Sequence, residues 1–364
     1  MTRLALVLVF ISILSIRLVT GQPERVAEGT RVRLTIPTID YPEHADSYTL
    51  IKRGEWEVRV KGYTDFMPGD VVEIEGVVDE RGRVIDSKVE SIKYQELEGL
   101  DWGLVQIAKL RHWAVGRLQQ VLPEPQASLA IGILLGVKRS MPREFYDMLV
   151  KTGTLHVIAA SGYNVSVVAA VVMGALTKVI SKKISLIMGI AAIGGYVLLS
   201  GASPSVVRAG VMGSLTLIGV ILGRVNDARW LLWVTAWIML MVKPELIADI
   251  GFQLSMSATT GLLYVCEILK SQTRLPDGQV LKFSNWKWIQ DYLVPTLAAT
   301  VATAPVLWWH FGRVSLIGVL VNMLILPVVP VIMLLSALAV FVAPLSYLLY
   351  VPLWWMVWVI RMFG

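Results

Sequence analysis

From residue 155 onward the sequence is a series of apolar runs, near 155–177, 184–200, 205–223, 230–242, 246–269, 289–309, 314–343 and 346–361. Most are long enough to cross hydrocarbon as helices, and a helix satisfies every backbone polar group within itself. No other feature restricts the fold as much: this part has to be a polytopic α-helical membrane protein. The 230–242 run is short. The 314–343 run contains Pro327 and Pro330, which predicts two broken pieces. With 55% hydrophobic residues and a mean hydropathy of +0.64, the chain fits no ordinary soluble class.

The stretch that opens the first run is not uniformly apolar. Thr154, His156, Ser161 and Asn164 interrupt it, with Gly153 and Gly162 among them. On a helix, Thr154, Ser161 and Asn164 fall within about one quarter of the circumference. Such groups are costly in hydrocarbon and face protein or a water-filled cavity. Gly162 favours a helix break, and broken helices inside membranes line sites. Two readings stay open: helix–helix packing through small and hydroxyl residues, or a polar pathway lined by Thr154, His156, Ser161, Gly162 and Asn164.

Other polar residues extend that set. Ser203-Pro204 is a helix start, with Arg208 about one turn beyond it. Lys243-Pro244 precedes another entry, with Asp249 a similar distance in. The matched depth predicts an ion pair or a polar vestibule. Asp249, Gln253, Ser257 and Thr260 share one helical face, and Asn322 sits deep in an apolar run. Thr296, Thr300 and Thr303 among Ala298, Ala299 and Ala302 read as tight packing, and His310 reads as interfacial.

Loop charges set orientation. Lys178, Lys182, Lys183, Arg224, Arg229, Lys270, Arg274, Lys282 and Lys287 lie in alternate loops, which are predicted cytoplasmic. Residues 4–16, bounded by Arg3 and Arg17, read as a retained membrane anchor within 1–21. Residues 22–96 then lie outside the cytoplasm and change character. Val32–Ile36, Glu57–Lys61, Val71–Glu75 and Val84–Val89 alternate apolar with polar, and turn residues punctuate them. Short strands at this spacing predict a small all-β domain, best fitted by a five-stranded OB-type barrel. Tyr48, Trp56, Tyr63 and Phe66 are candidates for stacking single-stranded nucleic acid. Residues 24–95 carry a net charge of −4 against +10 for the remainder, which favours a structural cap over strand binding. Residues 97–125 are amphipathic and basic, the pattern of a helix lying on a lipid surface. Residues 126–364 hold the membrane domain.

Gly153-Thr154-Leu155-His156 followed by Ala160-Ser161-Gly162 resembles the signature of the ComEC competence family, roughly G-x-x-H-L-L-A-I-S-G-L-H. The resemblance continues at Leu129–Gly132, Leu135-Gly136, Ser205–Ala209, Gly251–Ser255 and Asn322–Pro327, in the same order. One departure is that Asn164 stands where the family has its second His, so a role needing a proton or metal there is not supported. The resemblance implies an inner-membrane channel for single-stranded DNA in natural transformation, preceded by an extracytoplasmic OB-like domain. It implies single-stranded DNA and membrane lipids as partners, with a DNA receptor, a nuclease and a cytoplasmic ATPase on other chains. Many members carry a C-terminal metallo-β-lactamase-like domain, and this sequence stops at Gly364 without one. No P-loop pattern is present, and the four His (44, 112, 156 and 310) follow no metal-binding spacing, so no cofactor or metal is predicted. Two other classes remain: an intramembrane enzyme using His156 and Asp249 on a lipid or cell-wall precursor, and a small-solute transporter, for which no inverted repeat is visible.

Overall fold

A computed structural model describes residues 27–39, 41, 43–44, 48–53, 56–62, 66–80, 83–94, 97–137, 141–155, 161–224, 227–268, 287–312 and 317–364. The expected anchor within 1–21, His156, Tyr63 and most of the 270–288 loop lie outside these residues. The chain divides into two compact units, a first of Pro23–Gly116 and a second that includes Arg117–Gly364.

Among the described residues the first unit holds six strands: β1 Arg31–Pro37, β2 Glu43–His44, β3 Tyr48–Arg53, β4 Trp56–Lys61, β5 Asp70–Val78 and β6 Val84–Tyr94. They form one sheet in the order β1-β5-β6-β4-β3-β2, in which only β4 and β6 run parallel. The five longer strands account for the expected barrel, and the two-residue β2 is an addition at the β3 margin. No described strand pair joins β1 to β3 or β2, so the barrel is partly open. Ile36 of β1 and Ile51 of β3 nevertheless share one core with Val58, Val60, Val72, Ile74 and Val84, so the sheet curls around a single apolar interior. Gly76 lets β6 pass close to β5: a Cβ there would lie 2.5 Å from Val84 Cγ1 and 2.8 Å from Ser87 Cβ, where the register shifts. Asp79 closes the turn into β6, accepting from Arg83 Nη2 at 2.6 Å and Arg83 Nε at 2.8 Å. That hydrogen bond raises the Arg83 guanidinium above its ordinary value.

Helix α1, Gly99–Val121, follows the sheet. Trp102, Lys109 and Trp113 lie on one exposed face of it. Helix α2, Gln126–Leu135, is too short to span and is buried along nearly its whole length, as a helix apolar on all sides must be. It packs against α11, Val329–Phe341, and α12, Leu345–Phe363. Between them in sequence come α3 Arg143–Lys151, α4 Gly162–Leu176, α5 Lys182–Leu199, α6 Pro204–Ile221 and α7 Ala228–Val242. Then follow α8 Ile250–Thr260, α9 Lys287–Phe311 and α10 Ile317–Ile325.

Among the described residues, four helical stretches are long and apolar enough to cross a membrane: α5, α6, the Ile317–Phe341 run and α12. α2, α4 and α7 are apolar but shorter. The Ile317–Phe341 run is broken by a 3₁₀ turn at Leu326–Val328, where Pro327 and Pro330 remove backbone donors. α8 continues through one π turn, Gly261–Val265. A Cβ on Gly261 would lie 2.5 Å from the Ala298 carbonyl oxygen and 2.6 Å from Ala302 Cβ. Small residues thus let α8 and α9 touch backbone to backbone. The Thr300 and Thr303 hydroxyls bond back to the carbonyls of Thr296 and Ala299 within α9.

Candidate functional site

α6 starts at Pro204, whose missing N–H is no loss at the first helical position. One turn later Arg208 points into the bundle and is 8% exposed. Its Nε donates to the Ser255 hydroxyl of α8 at 2.7 Å. Nη1 faces only the Met212 sulfur, at 3.9 Å. Nη2 lies against the start of α4: a Cβ on Gly162 would sit 2.6 Å from it and 3.2 Å from Ala209 Cβ. A side chain at 162 would therefore displace the end of the guanidinium.

The expected break is present here. Ser161 is extended (φ −109°, ψ 170°) and α4 begins at Gly162. The Ser161 hydroxyl donates to Asn164 Oδ1 at 3.4 Å instead of capping a backbone N–H of α4. Asn164 is fully buried, and its Nδ2 donates to the Ile133 carbonyl in the last turn of α2 at 2.8 Å. The buried Tyr196 hydroxyl of α5 reaches toward Asn164 without closing a hydrogen bond.

Ser161, Gly162, Asn164 and Arg208 are thus brought together, and Ser255, which was not among the predicted candidates, joins them. Ser255 lies off the face shared by Asp249, Gln253 and Ser257. The signal for it was its position on the α8 side opposite that polar stripe, which carries little weight in a sequence taken by itself.

The expected Arg208–Asp249 ion pair does not form. Asp249 is the N-cap of α8, with its Oδ1 accepting from the Phe252 N–H at 2.7 Å. A carboxylate there satisfies an orphan donor and the positive end of the helix dipole. Matched depth along two helices says nothing about which side of each helix faces the other. Gln253 bonds the Ile247 carbonyl at 2.8 Å and His310 Nε2 at 2.9 Å on an exposed surface, so His310 is tied to this entry turn. Ser257 is half-buried one turn on, and no hydrogen bond joins it to the Arg208 group. Asn322 of α10 is buried with Oδ1 unpartnered, apart from that group.

Thr154 belongs to the end of α3. Gly153 takes φ +68° there, and the N–H groups of Gly153 and Thr154 bond the carbonyls of Val150 and Leu149. This is a Schellman closure, which needs a left-handed residue after the helix. The Thr154 hydroxyl, fully buried, shares a 2.8 Å hydrogen bond with Thr152.

In the first unit, Phe66 is 5% exposed inside the barrel core, so its ring offers no free stacking face, and Trp56 is half-buried and packs against that core. Tyr48 is half-buried, with the Arg59 guanidinium 5.1 Å from its ring centre. Across β1, β5 and β6, Arg33 pairs with Glu90 and Glu73, and Lys93 with Glu73. That face alternates in charge rather than forming a positive stripe.

The chain is 23% identical over 318 residues to ComE operon protein 3 of Bacillus subtilis (strain 168), covering 82% of this chain and 39% of that protein. It is 27% identical over 252 residues to the uncharacterized protein YcaI of Escherichia coli (strain K12), covering 65% of this chain and 32% of that protein. The chain therefore spans well under half the length of the relatives it matches. No solved structure matches. The family model for competence proteins matches residues 133–363, a stretch that contains the α4 break, Arg208 and Ser255, and the chain belongs to the Competence protein family.

Proposed function

We propose that the helical unit is a channel that passes single-stranded DNA inward across the bacterial cytoplasmic membrane. Family membership supports a role in DNA uptake. The observation that carries the channel reading is the Arg208 junction. Three segments far apart in sequence place a helix break, a buried guanidinium and a hydroxyl together inside an otherwise apolar bundle. Groups this costly in an apolar interior mark pathways and sites. The enzymatic alternative is less well served, because Asp249, its proposed carboxylate, is engaged as a helix cap. On this reading the β unit lies outside the cytoplasm. The α1 face bearing Trp102, Lys109 and Trp113 rests on lipid headgroups.

The test is uptake of labelled DNA by the host bacterium with this gene deleted and then restored. Uptake should vanish on deletion and return with the wild-type gene. It should stay absent with Arg208→Gln, while the variant protein still accumulates in the membrane. Undiminished uptake in the deletion strain would remove the reading.

A further inference from the structure

We propose that Arg208 and the first turn of α4 together form an anion site, and that its ligand is a backbone phosphodiester of the translocating strand. The second part rests on the channel reading; the first does not.

Guanidinium groups carry five N–H donors and stay charged. Arg208 is 8% exposed and uses one donor on Ser255. Among the described residues Nη1 meets only a thioether, and no hydrogen-bond acceptor faces Nη2. No described carboxylate pairs with it, and Asp249, which could have, is spent on its own helix. A buried charge in this state is costly unless something compensates it.

The neighbour of Nη2 makes the imbalance larger. It abuts Gly162, the first residue of a 15-residue helix. That turn carries the positive end of the helix dipole, and the N–H of Gly162, its first residue, has no acceptor within the helix, whereas those of Asn164 and Val165 bond the Ser161 carbonyl. Ser161 gives it no side-chain cap. Two positive ends therefore meet in a low-dielectric interior, where their repulsion is strong. An oxyanion placed against both reverses the sign of the interaction. It accepts from the guanidinium fork and from the helix N-terminus at once. Phosphate suits this geometry because it offers several oxygens to both donors. Gly162 is the residue that allows the approach, and Ser255 holds Nε while Nη2 faces the turn.

The same chemistry is present in a lipid headgroup, so the experiment separates the two sources. The full chain is purified into nanodiscs of zwitterionic lipid. Binding of a fluorescent oligothymidylate is followed by anisotropy across a salt series. Arg208→Gln should weaken binding roughly tenfold, the worth of about one charge-assisted contact. It should also reduce the slope of log K against log salt by about 0.7. Gly162→Ala, which displaces Nη2, should weaken binding in the same direction. Arg361→Gln, at an exposed cation on α12, should leave binding unchanged. Equal affinity and equal slope for wild type and Arg208→Gln overturn the inference. If Arg208→Gln does not accumulate, protection of wild type by orthophosphate in thermal unfolding is compared with that of Gly162→Ala. Loss of protection in Gly162→Ala supports the site, and equal protection overturns it. If the oligonucleotide fails to bind but phosphatidylglycerol stabilises the protein in an Arg208-dependent way, the assignment to the translocating strand falls and a lipid headgroup takes the site. If cells show no uptake while Arg208-dependent oligonucleotide binding persists, the channel reading fails and the anion site stands.

Discussion

The β unit and the helical unit treat polar side chains in opposite ways. On the sheet, Arg33, Glu73, Glu90 and Lys93 are numerous, largely solvated and paired with one another. In the helical unit, charges away from the ends are scarce, and Arg208 stands buried with one hydroxyl for company. In water a charge costs little to keep and so carries little information about function. Inside an apolar bundle each polar group costs stability unless matched, so its presence points to packing, capping or a ligand. The two kinds of unit therefore have to be read differently: the β unit from its core, the helical unit from its polar exceptions.

The largest expected effect tests the β half of that contrast. Phe66→Ala removes a buried ring from the barrel core and should destabilise that unit by about 3–5 kcal/mol, measured by chemical denaturation. A loss below about 1 kcal/mol would mean that Phe66 is not a core residue and would restore it as a stacking candidate.

Next come two glycines in the helical unit that differ in what they touch. Gly261→Ala meets the Ala298 carbonyl oxygen, a backbone atom that cannot step aside. Overpacking there should cost about 1–3 kcal/mol and lower the amount of folded protein. Gly162→Ala meets the movable end of Arg208, so the protein should accumulate normally while DNA uptake falls. Membrane levels and uptake measured side by side decide this. Equal loss of accumulation in both variants would make the Arg208 junction ordinary packing.

A smaller effect concerns Asp249. As a helix cap its replacement by Ala should cost about 1 kcal/mol. Because it does not pair with Arg208, the losses from Asp249→Ala and Arg208→Gln should add within about 0.5 kcal/mol. A coupling larger than about 1 kcal/mol in a double-mutant cycle would reinstate the ion pair first expected from matched depth.

The smallest effect belongs to the surface pairs. Arg33→Ala should change β-unit stability by at most about 1 kcal/mol, less at high salt. A larger, salt-insensitive loss would erase the contrast between the units.

Much of the architecture was legible in residue order. Apolar runs announced the membrane helices, alternation in β1, β4, β5 and β6 announced the sheet, and Pro327 with Pro330 announced the break before α11. Ser203-Pro204 marked the start of α6, and Gly162 marked the start of α4. These features are local: they follow from periodicity, from proline's missing donor and from glycine's missing side chain, all of which act within a few residues. The partners of the polar residues were decided elsewhere. Asp249 could cap its own helix or cross to Arg208, and Ser255 could face lipid, protein or cavity. The rotation of each helix about its axis settles such choices, and packing against other helices sets that rotation. The Gly162–Ala209 approach and the 47-residue reach from Arg208 to Ser255 are products of that packing. Likewise, Phe66 was an aromatic with a stacking role available to it until the curl of the sheet placed it inside. Local chemistry thus marked candidate residues, and only the assembled bundle and barrel determined which of them meet.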